Sequence, residues 1–198
     1  MFEKTSYDQI YDEHIFMFSA SSVQKICLLF DMELIDILKQ ETHGGSLRYV
    51  CARKNVYKVK TNVNYFIDKE KKNNLDNIHS CFEFKKNCEN SKKNLKEKLL
   101  KLKEDNKKIC GYAATSKSTT ILNYCNIGTE IIDFICDTTP EKIGKFSPGM
   151  HIPIKPINYF HENYPDIAFL FAWNHKEEIF EKEKEFSQKG KWVAHVEL

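Results

Sequence analysis

Four residues near the start of the chain, Tyr-Asp-Glu-His at positions 11–14, place a phenol, two carboxylates and an imidazole side by side. A neutral imidazole accepts a proton near pH 7, and a neighbouring carboxylate can orient its ring. The motif therefore predicts a general base, with His14 as the group that accepts the proton. A polar surface turn uses the same residue types, so the motif alone leaves both interpretations open.

A second motif, Thr-His-Gly-Gly-Ser-Leu-Arg at positions 42–48, combines paired glycines with a histidine and an arginine. Paired glycines let the backbone turn tightly and approach a ligand closely. Arg48 has the side chain that pairs best with a phosphate group. The motif indicates either a ligand-binding turn or a plain hairpin turn.

A third motif, Gly-Tyr-Ala-Ala-Thr-Ser-Lys-Ser-Thr-Thr at positions 111–120, runs from an apolar strand into a helix. Backbone amides, hydroxyls and Lys117 meet at the start of that helix, which suits an anionic group such as a diphosphate. Open α/β folds bind ligands at this end of their strands. An ordinary capped helix is the alternative interpretation.

Glycine spacing argues against several cofactor sites. The seven glycines lie at positions 44, 45, 111, 128, 144, 149 and 190, and no two are separated by a single residue. The dinucleotide fingerprint and the phosphate-binding P-loop both need closely spaced glycines. No glycine-rich turn of the kind that binds S-adenosylmethionine is visible either. We therefore expect the chain not to bind this methyl donor by itself.

The charge balance, the hydropathy and the cysteine pattern argue against nucleic-acid binding, a transmembrane helix and a metal site. The 30 basic and 28 acidic residues give a net charge of +2, too balanced to indicate nucleic-acid binding. No apolar stretch approaches the roughly 20 residues of a transmembrane helix. The seven cysteines contain no Cys-x-x-Cys pattern, so no metal site is expected, and reduced cysteines favour a cytoplasmic protein.

The elements that would position the first two motifs lie in residues 1–56. Apolar residues at helical spacing predict a helix over Ser21–Met32, with Ser21 or Ser22 as its cap. Alternation predicts a strand over Glu33–Leu38 and a returning strand over Leu47–Cys51, which together form a hairpin. Residues 57–108, rich in lysine and asparagine, predict a helical connector.

Residues 109–198 show the strand–helix alternation of an α/β domain. The predicted strands and helices, in chain order, are Ile109–Ala114, Ser116–Cys125, Ile131–Asp137, Asp166–Trp173, Lys176–Lys189 and Trp192–Val196. The predicted fold class is α/β, a small Rossmann-like and mostly parallel sheet with flanking helices. A helix–hairpin segment and a long lysine-rich helical connector precede it.

In this order, the segments resemble the C-terminal, substrate-binding part of the sugar C-methyltransferases that use S-adenosylmethionine. Members of that family act on nucleotide-linked keto-deoxysugars. The resemblance covers Tyr7–Lys54 and Ile109–Leu198. Besides the three motifs, it rests on the segments Leu122–Cys125, Asp137–Gly149, His151–Ile154 and Ala172–Asn174.

The resemblance implies roles for individual residues. His14 would remove a proton next to the ketone of the sugar, and the resulting enolate would attack the donor's methyl group. Glu13 and Tyr11 would orient the base or stabilise charge. The implied substrate-binding residues are His43, Gly44, Arg48, Gly111, Tyr112, Lys117, Thr119, Asn123, Asp137, Trp173 and Asn174.

The resemblance also implies partners. Family members carry a zinc-binding module and a donor-binding domain ahead of the region that this chain resembles. We therefore expect a nucleotide sugar as ligand, and a partner polypeptide that carries the zinc and donor-binding half. A sugar-nucleotide-binding module without catalysis and a truncated inactive homologue are the alternatives.

Overall fold

The computed structural model describes residues 1–197, which form two compact units. Residues 14–86 form one unit, here called the hairpin unit. Residues 1–13 and those from 87 onwards form the other, here called the α/β unit. These boundaries do not coincide with the predicted divisions after residues 56 and 108.

The hairpin unit contains the predicted helix and hairpin. Helix α1 spans Ala20–Leu29, and strands β1 (Met32–Gln40) and β2 (Ser46–Arg53) pair antiparallel. The predicted caps of α1 are wrong, because Ser19 caps it. The Ser19 backbone is extended and its hydroxyl accepts the N–H of Ser22, whose own hydroxyl accepts the N–H of Ser19. This reciprocal pair satisfies two amides at the start of the helix.

The lysine-rich region contributes to the core of the hairpin unit as well as connecting elements. Helix α2 spans Thr61–Lys72, and the buried Glu70 in it accepts hydrogen bonds from the amides of Ala20 and Ser21 at 2.6 and 2.9 Å. The buried side chains that form this core are Ala20, Cys27, Leu34, Ile37, Val63, Phe66 and Ile67. Because three of them come from α2, the first half of the predicted connector is part of this unit.

Helix α3 is the long helix of the predicted connector. It spans Ile78–Glu104 and begins in the hairpin unit and ends in the α/β unit. Leu95 and Leu99 are buried in the α/β unit, whereas Leu100 is partly exposed. The remaining surface carries lysines and glutamates, as expected of a helix with a single apolar stripe.

The α/β unit is built on a five-stranded, fully parallel sheet, which confirms the predicted fold class. The strands are β3 (Ile109–Tyr112), β4 (Phe134–Asp137), β5 (Ile154–Pro156), β6 (Ile167–Leu170) and β7 (Lys191–Val193). Their order across the sheet is β5-β4-β3-β6-β7. Every residue of β3, β4 and β6 is buried, as expected of parallel strands that are covered on both faces.

The helices of this unit are α4 (Ser116–Cys125), α5 (Ile157–Glu162), α6 (Lys176–Lys182) and α7 (Lys184–Lys189). Helix α4 has its predicted bounds. The single helix predicted over Lys176–Lys189 is wrong, because Glu183 leaves the helical conformation and divides it into α6 and α7. The buried carboxylate of Glu183 accepts a hydrogen bond from Tyr112 and contacts His161. These tertiary contacts form at the residue where the helix is interrupted.

Several predicted bounds in this unit need correction, and two elements were not predicted. The strand predicted from Ile131 begins at Phe134, because the amides of Ile131 and Ile132 donate to the Gly128 carbonyl in a turn. The strand predicted over Asp166–Trp173 ends at Leu170. Strand β5 and helix α5 were not predicted, since Pro153 precedes β5 and Pro156 is its last residue, and the two prolines interrupt its pattern.

Residues 1–197 contain neither a membrane-spanning helix nor a cluster of metal ligands. No helix there combines the length and apolarity needed to cross a membrane. No three histidine, cysteine, aspartate or glutamate side chains in this part of the chain are grouped so that they could hold a metal ion.

Candidate functional site

A buried carboxylate anchors the N-terminal segment to the α/β unit. Asp8 Oδ2 accepts a hydrogen bond from Trp173 Nε1 at 2.7 Å, and Asp8 Oδ1 lies 3.0 Å from His195 Nε2. Burial alone would raise the pKa of Asp8, but His195, Trp173 and the charge of Lys117 outweigh it, so the pKa lies below its usual value. The carboxylate is therefore ionised at neutral pH, deep in the protein.

Two further contacts hold the residues on either side of Asp8. The Tyr7 ring packs edge-on against His195, with ring centroids 5.1 Å apart. The hydroxyl of Thr120 in α4 donates to the Ile10 carbonyl at 3.2 Å. The backbone is thus fixed up to Ile10. The next residue, Tyr11, is half-buried, and Glu13 is exposed.

The hairpin unit brings two predicted site residues together. The rings of His14 and His43 meet edge to face, with centroids 5.5 Å apart and planes at 87°. His43, Gly44 and Gly45 have φ angles of 56°, 80° and 126°. Three successive residues in the left-handed region explain why paired glycines occur here. Arg48 is exposed and lies in β2, just after this turn.

The turn between β3 and α4 is held by protein groups. Asp137 Oδ2 accepts the amide of Ala114 at 2.7 Å, and Lys142 Nζ donates to the Ala114 carbonyl at 2.7 Å. Burial would raise the pKa of Asp137, but the hydrogen bonds from Thr139 and Ala114 and the charge of Lys142 outweigh it and lower the pKa. Asp137 is 7% exposed, so its carboxylate positions this turn.

Helix α4 begins with a reciprocal cap. Thr115 and Ser118 each accept the other's backbone N–H through their hydroxyls, at 3.1 and 3.0 Å. Two amides at this turn are therefore satisfied by side chains. Ala113, in the same turn, has a φ of 73°, which is unusual for a residue other than glycine.

Three predicted substrate-binding residues lie together beside this turn. Lys117 Nζ donates to Asn174 Oδ1 at 2.7 Å and lies 5.3 Å from the centre of the Trp173 ring. Burial lowers the pKa of Lys117, while the charge of Asp8 opposes this effect. Lys117 is only 6% exposed, so a ligand would meet an ammonium group that already has a protein partner.

Gly111 and Tyr112 both have structural roles in the core of the α/β unit. A Cβ atom on Gly111 would lie 2.6 Å from the Phe171 ring and 2.9 Å from Ile135, so close packing in the sheet requires glycine. The Tyr112 hydroxyl donates to Glu183 Oε1 at 2.7 Å, and burial raises the pKa of this phenol. Both side-chain positions face the core.

Asn123 connects α4 to the loop that precedes β5. Its Nδ2 donates to the carbonyls of Thr119 and Pro148 at 2.8 and 3.0 Å. A Cβ atom on Gly149, which has a φ of 78°, would lie 1.9 Å from Asn123 Oδ1. Asn123 and Gly149, both part of the segments that carry the resemblance, therefore meet in space.

Sequence reasoning missed Asp8 as an anchor and His195 altogether. Asp8 precedes the motif at positions 11–14 and belongs to no motif itself, and His195 falls within the strand predicted over Trp192–Val196. His195 Nδ1 is buried and has no hydrogen-bond partner among the described residues. No sequence pattern signals the pair, because 187 positions separate the two residues.

Comparison with known proteins identifies the family. The model of the C-methyltransferase C-terminal domain matches residues 41–196. C-methyltransferase NovU of Streptomyces niveus is 30% identical over 194 residues, which cover 96% of this chain and 46% of NovU. The chain thus spans about half the length of this curated relative. These matches confirm the resemblance found from the motifs: the chain belongs to the C-methyltransferase C-terminal domain family.

Proposed function

We propose that this chain is the substrate-side part of a methyltransferase that uses S-adenosylmethionine to methylate a carbon atom of a nucleotide-linked ketosugar. The match to the C-methyltransferase C-terminal domain supports the reaction type. The observation that carries the proposal is the contact between His14 and His43, which joins the first two motifs within one unit. The product would serve polysaccharide or deoxysugar synthesis in the cytoplasm.

The chain's own contribution would be proton removal. A neutral His14 imidazole takes the proton from the carbon next to the sugar ketone, and the C–H electron pair moves into the enolate. General bases of this kind accelerate reactions by about 100- to 10,000-fold. Glu13 and Tyr11 would orient the imidazole or stabilise the charge that develops on it and on the enolate.

The donor would be held elsewhere. S-adenosylmethionine supplies the methyl group that the enolate carbon attacks. No two of the seven glycines are separated by a single residue, so the chain does not contain the glycine-rich turn that binds this donor. The zinc and donor-binding half would therefore be a partner that lies outside these 198 residues.

An apolar surface on the hairpin unit supports such a partner. Ile15, Phe16, Met17 and Phe18 are consecutive, and 46–78% of each is exposed. Leu28, Leu29 and Phe30, at the end of α1, are exposed as well. Seven exposed apolar side chains in two short runs suit a protein contact site. The part of NovU that this chain does not match would correspond to that partner.

The nucleotide sugar would bind to the α/β unit at the carboxyl ends of β3 and β6. Lys117, Trp173 and Asn174 meet there, beside the start of α4. The partial positive charge of a helix N-terminus and the Lys117 ammonium both favour a diphosphate.

Exchange of the substrate's α-proton with solvent tests the proposed reaction, because it needs the base but no methyl donor. A nucleoside-diphosphate keto-deoxysugar is incubated in D2O with this chain and the donor-binding half, and deuterium uptake is followed by NMR. We expect uptake with the wild type and with His79→Ala, which changes an exposed histidine on α3, and none with His14→Ala. Binding without exchange would favour a non-catalytic sugar-nucleotide module. Neither binding nor exchange would indicate an inactive homologue.

A further inference from the structure

Two cysteine thiols face each other in the hairpin unit. Cys27 lies in α1 and Cys51 in β2, and their Sγ atoms are 3.2 Å apart. All seven cysteines, which fall within the described part of the chain, are free thiols. A disulfide bond needs sulfur atoms about 2.05 Å apart. The two sulfur atoms are therefore little more than 1 Å from bonding distance.

The two thiols differ in accessibility. Cys51 is exposed, whereas Cys27 is buried in the core of the hairpin unit. Burial and the neighbouring Cys51 thiol raise the pKa of Cys27 to about 11. An oxidant in solution therefore reaches Cys51 first, while Cys27 stays protonated and protected until its neighbour has reacted.

We propose that Cys27 and Cys51 form an oxidation site at which a peroxide converts two thiols into a disulfide. The Cys51 sulfur attacks one peroxide oxygen; an S–O bond forms, the O–O bond breaks, and the released hydroxide takes up the Cys51 thiol proton, which gives water and a Cys51 sulfenic acid. The Cys27 sulfur then attacks the Cys51 sulfur, the S–O bond breaks, and a second water leaves. Each sulfur loses one electron and the two peroxide oxygens gain them, so two thiols and one hydrogen peroxide give one disulfide and two waters.

The location gives the disulfide a structural consequence. Helix α1 follows the segment that carries His14, and β2 follows the turn that carries His43. The hydroxyl of Tyr49 in β2 already donates to the Phe18 carbonyl just before α1, at 3.2 Å. A covalent bond between Cys27 and Cys51 would link β2 to α1 itself, in addition to this hydrogen bond. Oxidation would thus fix the elements that hold the two histidine rings, whatever the substrate of the protein.

Mass spectrometry on the purified, fully reduced full-length chain tests the proposal. After brief treatment with a small excess of hydrogen peroxide, remaining thiols are labelled with N-ethylmaleimide in denaturant. We expect the number of labelled thiols to fall from seven to five, a Cys27–Cys51 peptide pair in the digest, and full reversal by dithiothreitol. The thermal midpoint of the oxidised monomer should rise, by an amount on the order of 5 °C.

Two variants separate this pair from general thiol oxidation. Cys51→Ser should abolish the cross-linked peptide, whereas Cys81→Ser, which removes the other exposed cysteine, should leave it unchanged. A wild-type chain that stops at sulfinic acid on Cys51 with Cys27 still labelled would overturn the proposal. Cross-linking between molecules through Cys81 alone would overturn it too. The wild-type peptide map decides the matter even where a variant folds poorly.

Discussion

Asp8 and His195, 187 positions apart in the sequence, form a carboxylate–imidazole contact of 3.0 Å whose two side chains are fully buried. The second oxygen of Asp8 accepts the indole N–H of Trp173. Through these two bonds the first residues of the chain become part of the α/β unit. Because Asp8 lies three residues before Tyr11, the anchor also fixes the backbone just ahead of the proposed catalytic residues.

Removing the anchor should destabilise the α/β unit strongly. We expect Asp8→Ala to lower the free energy of unfolding by about 3 kcal/mol, because it leaves the His195 and Trp173 donors buried without an acceptor. Urea denaturation followed by tryptophan fluorescence measures the loss. Asp12→Ala, which changes an exposed aspartate in the same segment, should change stability by less than about 0.5 kcal/mol. Equal effects of the two variants would show that the buried contacts contribute nothing specific.

The same carboxylate should make stability depend on pH in the acid range. The pKa of Asp8 in the folded protein lies below its usual value of 3.8. A lowered pKa means that the stabilisation is complete above the pKa of the unfolded chain and is lost as the pH falls through the folded-state value. Between pH 5 and pH 2, wild-type stability should therefore fall more steeply than that of Asp8→Asn, which cannot titrate. Parallel curves for the two proteins would contradict this assignment.

The sequence predicted those parts of the fold that depend on local pattern. Alternation placed the hairpin, and the capped apolar segment gave α4 its bounds. Tertiary contacts decided the rest: Glu183 interrupts a regular helical pattern where its carboxylate meets Tyr112 and His161. The Asp8–His195 contact joins opposite ends of the chain, so no local pattern could predict it. The motifs identified candidate site residues, but no sequence pattern indicates that Lys117 is paired with Asn174, 57 positions away.

Gly149 should tolerate alanine less well than Gly144 does. Both lie in the loop before β5 with φ angles of 78° and 79°, so an alanine meets the same backbone strain at either position. Only at Gly149 would the new Cβ atom also approach Asn123 Oδ1, at 1.9 Å, whereas nothing lies within 4 Å at Gly144. We expect Gly144→Ala to cost about 1 kcal/mol and Gly149→Ala about 1–3 kcal/mol more.

Thermal denaturation of the two glycine variants measures the difference directly. The shared φ angle cancels in the comparison, which leaves the contact with Asn123. In Gly149→Ala, the Asn123 side chain must also move from the carbonyls of Thr119 and Pro148, which loosens the connection between α4 and the loop. Identical midpoints for the two variants would mean that the loop shifts freely to make room.

Charge at Lys117 should contribute to nucleotide-sugar binding. Lys117→Met keeps most of the aliphatic stem that lies near Trp173 and removes the ammonium group, so we expect the fold to persist. If the diphosphate lies beside the start of α4, affinity should fall about tenfold, equivalent to roughly 1–2 kcal/mol for a hydrogen bond to a charged group. Calorimetric titration with a nucleoside-diphosphate sugar measures the change, with circular dichroism as the check on folding.

The matched control for Lys117 is Lys145→Ala, which removes an exposed lysine from the loop between β4 and β5. It changes the net charge by the same amount but lies outside the group formed by Lys117, Trp173 and Asn174, so binding should stay within about twofold of the wild type. Because Asn174 holds the Lys117 ammonium at 2.7 Å, Asn174→Ala should weaken binding less than Lys117→Met does. Unchanged affinity in Lys117→Met would place the diphosphate away from α4. If Lys145→Ala lost as much affinity as Lys117→Met, general electrostatic attraction would explain both losses.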